Sequence, residues 1–200
     1  MLAGTKLKIA EAALETLKER GFASASAREI ASAGGFNQAL IFYHFGSVQG
    51  ALLAALDLVS ARRMRAYQTA LGRAQTLSEL AGLARKIYLE DLENGYVTVL
   101  GEMVAGGVSD AELGREVAAR LQPWIDIIEG KLRELAGSLF ESMVPARDVA
   151  FAIVALYLGV DMLSHLEDNH ARAESLLDMV ERYAPLAGAL LPAQRKGQPR

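Results

Sequence analysis

Apolar residues recur at spacings of three and four along almost the whole chain, and strand-like alternation is nearly absent. Five prolines punctuate a sequence rich in Ala, Leu, Glu and Arg. The pattern predicts an all-α protein of about nine helices. A first helix from about Thr5 to Arg20 buries Leu7, Ala10, Leu14 and Leu17 and stops at Gly21. Phe22 is expected to pack under the two short helices that follow. A long helix starts behind a Ser47 cap and runs to about Gly72. Thr76 and Glu79 have capping-box spacing and open a helix to about Glu93, broken by Asn94-Gly95. A short, very apolar helix from Tyr96 to Val104 is expected to end at Gly106-Gly107. Ser109 with Glu112 should cap the next, which reaches about Phe140 with a kink at Pro123. Pro145 opens the most apolar helix, to about Glu167, and a last helix covers Arg172 to Leu190. Residues 192–200 read as a disordered tail.

The stretch from Ser26 to Phe45 has the steric pattern of a helix-turn-helix. Ser26 and Glu29 form a capping box, and Ile30 and Ala31 point inward. Gly34-Gly35 supplies the sharp turn, Phe36 plugs it, and Asn37 caps the second helix. Ile41 and Phe45, with Phe42 beside them, are read as its inner side. The outer face is then Gln38, Ala39, Tyr43 and His44. Two helices cross this closely only where small side chains such as Ala31 stand at the crossing.

The run R-E-I-A-S-A-G-G-F-N-Q-A-L-I-F-Y-H-F (Arg28 to Phe45), followed by G-S-V-Q-G-A-L-L-A-A-L (Gly46 to Leu56), resembles the DNA-binding region of the TetR family of bacterial transcriptional regulators. The close resemblance covers about the first quarter of the chain; the remainder is similar in helical organisation. It implies a DNA-binding domain at residues 1–46, a helical ligand-binding and dimerisation domain at 47–191, and a homodimer formed through the last two long helices. The implied partners are double-stranded DNA and a small-molecule effector. The implied activity is repression at an inverted-repeat operator, relieved by a small, mostly apolar effector. Asn37, Gln38 and Ala39, near the start of the recognition helix, would face base edges. Gln38 suits adenine N6 and N7, and the Ala39 methyl suits a thymine methyl. Tyr43 and His44 would hold phosphates, as would Ser26, while Arg28 would reach a phosphate or a guanine edge.

The chain departs from the family pattern. Val48 stands where a phosphate-binding Lys is common, Gln49 and Gly50 replace acidic neighbours, Leu40 stands for a frequent Thr, and Phe42 for Tyr. The first fifty residues are nearly neutral, which implies few phosphate contacts and a shallow salt dependence. These departures motivate an alternative reading: a helical interaction protein of the same fold that has lost sequence-specific DNA binding.

In the second domain, Tyr88, Tyr96, Met103, Trp124, Phe151 and Met162 are candidate pocket-lining residues. Asp161 and His165, one turn apart, are expected as a buried pair that holds a ligand's polar group, a dimer contact or, the favoured reading, only each other. The segment Val149 to Leu166 is apolar on more than one face, and Leu176, Leu177, Met179, Val180, Tyr183 and Leu186 follow. Such surplus apolar surface calls for cover by a second subunit.

Charge and composition narrow the rest. The net charge of −3 argues against a protein that coats nucleic acid, although a local basic patch is compatible with it. Lys6 and Lys8 lie within reach of such a patch, whereas Arg62, Arg63 and Arg65 are read as solvated or salt-bridged. The absence of cysteine excludes disulfide and thiolate chemistry. The longest apolar run, Val149 to Val160, is well short of the ~20 residues that span a bilayer, so no membrane partner and a cytoplasmic location are expected. His165, Glu167, Asp168 and His170 cluster in sequence, but the two histidines miss the i,i+4 spacing of a shared helical face. No metal or other cofactor is expected. No phosphate-binding glycine loop or catalytic triad order is present, so no enzyme is expected.

Overall fold

The computed structural model describes residues 2, 4–167 and 169–190, without the side chains at 136–143, 165 and 190. The Asp161–His165 pairing, Asp168 and the tail at 192–200 therefore fall outside the described residues. Those described form nine α-helices and no strand: α1 (Thr5–Ser24), α2 (Ala27–Gly34), α3 (Ala39–Phe45), α4 (Val48–Arg73), α5 (Leu77–Glu93), α6 (Tyr96–Ser109), α7 (Ala111–Met143), α8 (Ala146–Glu167) and α9 (Ala171–Leu190). Among them, no single helix is long and apolar enough to cross a membrane.

Two compact units are present. One comprises Met1–Ala66 and Glu90–Gln122, the other Tyr67–Leu89 and Pro123–Arg200. The first centres on Ile9, Leu14 and Leu17 of α1, Ile30 of α2, Ile41 of α3 and Leu52 and Leu56 of α4. Val99 and Met103 of α6 and Leu113 and Val117 of α7 complete it. Each such aliphatic side chain contributes roughly 1.5–3 kcal/mol on burial. The second unit has a smaller core around Ile125, Leu132, Ala146 and Ala150, with Leu77, Leu80, Ile128 and Ile153 packed on it.

Several boundaries fall where the sequence puts them. Gly21 breaks the helical geometry of α1 at φ 72°, ψ 175°. Thr76 Oγ1 accepts the Glu79 N–H at 3.1 Å, and Glu79 reaches back to the Gln75 N–H at 2.6 Å. Asn169 Oδ1 caps α9 by accepting the Ala171 N–H at 2.8 Å.

The glycines of α6 correct the expected boundary there. The helix does not stop at Gly106-Gly107 but runs through both to Ser109. They are packing positions: a Cβ on Gly106 would lie 2.6 Å from the Phe22 ring, and one on Gly107 would lie 2.9 Å from Gly114 Cα. The cap of α7 is correspondingly Asp110, not Ser109. Its Oδ1 accepts the N–H groups of Glu112 at 2.9 Å and Leu113 at 3.1 Å, and its Oδ2 accepts Gln49 Nε2 at 2.8 Å. The first contact is the reason Asp110 wins: an aspartate one residue before the helix reaches two orphan amides at once.

Candidate nucleic-acid interface

The interface is built by two short helices and the turns around them. Ser26 sits in extended backbone, and its Oγ accepts the Glu29 N–H at 3.3 Å. The Glu29 carboxylate pairs with Arg20 at 2.9 Å. At the other end of α2, Gly35 is left-handed (φ 62°, ψ 48°). Its N–H bonds to Ser32 O at 3.3 Å, and the Phe36 N–H bonds to Ala31 O at 3.1 Å. This is the paired arrangement of a Schellman ending, in which the glycine removes the Cβ clash of positive φ. The two adjacent glycines do different jobs. Gly35 permits the conformation, whereas a Cβ on Gly34 would run into the Phe36 ring and Ala12.

Asn37 then starts α3. Its Oδ1 accepts the Ala39 N–H at 2.9 Å, and its carbonyl accepts the Leu40 N–H at 3.0 Å. Gly46 closes α3 at φ 75°, and Ser47 Oγ accepts the Gly50 N–H at 3.0 Å to open α4. Gly50 is pressed against the Phe45 carbonyl so closely that a Cβ would not fit. That contact explains why a small residue stands there, which nothing in the sequence pattern announced.

The faces of α3 are sharply divided. Ile41 is fully buried, and Leu40 and Phe45 pack partly buried against the same core. Gln38 and Ala39 are exposed, and Tyr43 is 82% exposed. His44 is half-buried, its ring edge-on to Tyr43 with centroids 4.8 Å apart. Two sequence readings change here. Phe42 is not on the inner side: it is 50% exposed, because Ile41 and Phe45 fill the single inward stripe of a seven-residue helix. Leu40 is not on the outer face, so its lack of a hydroxyl takes nothing from that surface.

Arg28, Asn37 and Gln38 come together around one open depression, with Ala31, Ser32, Gly35 and Phe36 completing it. Ser26 is exposed at the start of α2, and Lys6 and Lys8 are exposed on α1. Two arginines of α4 are held in ion pairs. Arg62 pairs with Glu11 at 2.7 Å, and Arg63 pairs with Asp91.

The residues expected to line a ligand pocket belong to both units. Tyr96 and Met103 lie in the first unit, where Met103 is fully buried in the core. The Tyr96 ring has Lys18 Nζ 5.2 Å and Arg63 Cζ 5.1 Å from its centroid. Phe151 and Met162 are exposed on α8, at 62% and 45%. The reason is that α8 carries more apolar residues than its packed side can cover. In the second unit, Trp124 meets Tyr67 edge-on at 5.5 Å. Tyr88 and Asp161 are both buried and share a cluster with Tyr157 and Ser164. Burial first, and the Asp161 charge second, push the Tyr88 phenol above its usual range, with the nearby Ser164 hydroxyl acting in the opposite sense. Tyr157 and Ser164 were missed, although 157, 161 and 164 fall on one helical stripe and were readable as such.

The exposed face of α3, anchored by buried Ile41 and following α2 through the Gly35 turn, forms a helix-turn-helix within an all-α fold. Residues 9–56 match the family described as bacterial regulatory proteins, tetR family, and this part of the chain is a TetR-family helix-turn-helix domain. No curated protein matches the chain in sequence. Among solved structures, the fatty acid degradation regulator FadR from Bacillus halodurans is 18% identical. Its TM-score is 0.76 over 96% of this chain and 100% of that one. The transcriptional regulator FadR from Bacillus subtilis, in complex with stearoyl-CoA, is 16% identical with a TM-score of 0.73, over 89% of this chain and 96% of that one. A TetR transcriptional regulator from Legionella pneumophila is 19% identical with a TM-score of 0.70, over 93% and 98%. At these identities the shared property is the fold.

Proposed function

We propose that this chain is a transcriptional repressor that binds an inverted-repeat operator as a homodimer and is released by a small, mostly apolar effector. Residues 1–46 read DNA in this scheme, and residues 47–191 sense the effector and dimerise. The observation that carries it is the exposed surface of α3, where Gln38, Ala39 and Tyr43 are open to solvent while Ile41 is fully buried. In this reading Gln38 would meet a base edge and Arg28 a phosphate or guanine, which their sharing one depression supports.

Dimerisation is supported by the apolar surface of the second unit. Phe151, Leu156, Leu163 and Leu166 of α8, with Tyr183 and Leu186 of α9, are all large and exposed. Apolar surface on that scale marks an interaction site. For the effector, the buried Tyr88–Asp161–Ser164 group offers polar anchors among apolar residues. A neighbour of the same fold that holds stearoyl-CoA supports an effector with a large apolar part.

Selection from random duplex DNA at moderate and at higher salt tests the proposal. An enriched inverted repeat is the expected result. Residual binding that vanishes with salt at every sequence would instead leave the fold as an interaction module. That second reading draws on α4: Val48 packs on the core and Gln49 is held by Asp110, so neither replaces a phosphate-binding lysine.

A further inference from the structure

We propose that the effector carries a primary ammonium group, received by Asp161, Tyr88 and Ser164 in the second unit, an inference that rests on the effector-sensing function proposed above. Tyr157, Asp161 and Ser164 stand at i, i+4 and i+7 on α8, so they lie on one stripe of that helix. Tyr88 of α5 meets the stripe, its ring edge-on to Tyr157 with centroids 5.6 Å apart and planes at 89°. Tyr88, Asp161 and Ser164 are all buried. The Asp161 charge acts on the Tyr88 phenol, and the Ser164 hydroxyl stands beside it. Yet the Tyr88 hydroxyl has no hydrogen-bond partner among the described residues. Buried polar groups are ordinarily satisfied, so an open phenol beside a buried carboxylate points to a polar group that arrives from outside the chain.

The chemistry of these side chains selects the ligand. An ionised carboxylate only accepts hydrogen bonds, and the two hydroxyls accept as readily as they donate. A primary ammonium has N–H donors and no acceptor, which suits a site where a carboxylate and two hydroxyl oxygens gather. Its charge offsets the desolvated Asp161 carboxylate, and tyrosine rings attract cations over their faces. An acid fits badly, because its carboxylate beside that of Asp161 would force one of the two to hold a proton. Among the described residues, the buried lysine of this unit, Lys131, is already paired with Glu134 at 2.8 Å. An alcohol can bond to the same oxygens but brings no charge. The ligand class is therefore an amine with an apolar body.

Three probes that share one alkyl chain test this: decylamine, decanoate and decanol, each titrated below its micellar concentration into the full-length protein at neutral pH and followed by calorimetry. Decylamine should bind tightest and decanoate weakest. Asp161→Asn keeps the side-chain shape and should weaken decylamine by about tenfold to a hundredfold, the effect of losing a charged hydrogen bond, while decanol changes little. Tyr88→Phe removes one acceptor and should weaken decylamine by about fivefold. Circular dichroism checks that both variants fold, and the ranking of the probes on the natural chain needs neither. Non-specific attraction of an amine to a chain of net charge −3 would be indifferent to both substitutions. If decanoate or decanol binds as tightly as decylamine, or if decylamine affinity survives both substitutions unchanged, the ammonium site falls while effector sensing stands on the probe that binds. If none of the three binds, the apolar-effector reading fails and the ammonium site fails with it.

Discussion

Glu102 of α6 accepts the backbone N–H of Phe22 through Oε2 at 2.6 Å, joining residues eighty positions apart. The same carboxylate lies where a Cβ on Gly21 would stand, 2.7 Å from Oε2. Gly21 turns the chain at the end of the α1 helical run in a conformation open essentially to glycine alone, and Glu102 satisfies the amide which that turn releases. Hydrogen bonds to charged acceptors contribute roughly 1.5–3 kcal/mol. We expect Glu102→Ala to lower the unfolding free energy by about 2 kcal/mol, and Glu102→Gln by less, because the amide oxygen still accepts. Urea denaturation checks this, and equal stability of all three chains would count against it.

The glycines give a matched pair. Gly107 faces the backbone of Gly114, whereas Gly130, within α7, has open space around its missing Cβ. Gly107→Ala should cost roughly 1–3 kcal/mol through overpacking. Gly130→Ala should add about 1 kcal/mol by helix propensity alone. Thermal melts of the two variants should move in opposite directions.

Gln38→Ala should weaken binding to the selected operator by ~1–3 kcal/mol and relax preference at one base pair of each half-site. Repeating the DNA selection with the variant reads this directly. An unchanged sequence preference would remove Gln38 from the base-reading set.

Asp110 links pH to folding. The amides of Leu113 first, then the Gln49 side chain, hold its carboxylate below its usual range, and the Glu112 amide adds to this. A depressed carboxylate contributes stability above its unfolded-state pKa, and that contribution is lost as pH falls through the lower folded value. Stability should therefore decline from about pH 4 downward. Asp110→Asn should flatten that limb, which urea melts at several acidic pH values would reveal.

Leu163 is 64% exposed on α8, among the apolar residues of the proposed dimer face. Leu163→Asp should shift the chain towards monomer in sedimentation velocity while helical content stays native. A protein that sediments identically before and after substitution would place the subunit contact elsewhere.

Much of the helix-turn-helix was legible because its signals are local. Ser26, Gly35, Asn37 and Ser47 each act within four residues of themselves, so their spacing carries their roles. What the sequence hid depends on contacts between distant segments. Gly106 and Gly107 look like a stop, and only Phe22 and Gly114 reveal them as packing sites. Asp110, besides capping α7 locally, is held by Gln49 from sixty-one residues away, a contact that spacing does not announce. Phe42 was misplaced for a different reason: on a seven-residue helix, periodicity does not say which of two adjacent aromatics fills the inward stripe. The pocket residues were the least legible, since aromatics at helical spacing mark burial without saying whether the burial is core, cavity or subunit contact.

The division of labour on α3 has a consequence for engineering. Ile41 anchors the helix and Leu40 and Phe45 support it, while Gln38, Ala39, Phe42 and Tyr43 are exposed. A combinatorial library at those four sites that leaves out Pro and Gly should yield mostly folded members. Operator preference could then be reprogrammed by selection, with no compensating substitutions elsewhere in the scaffold.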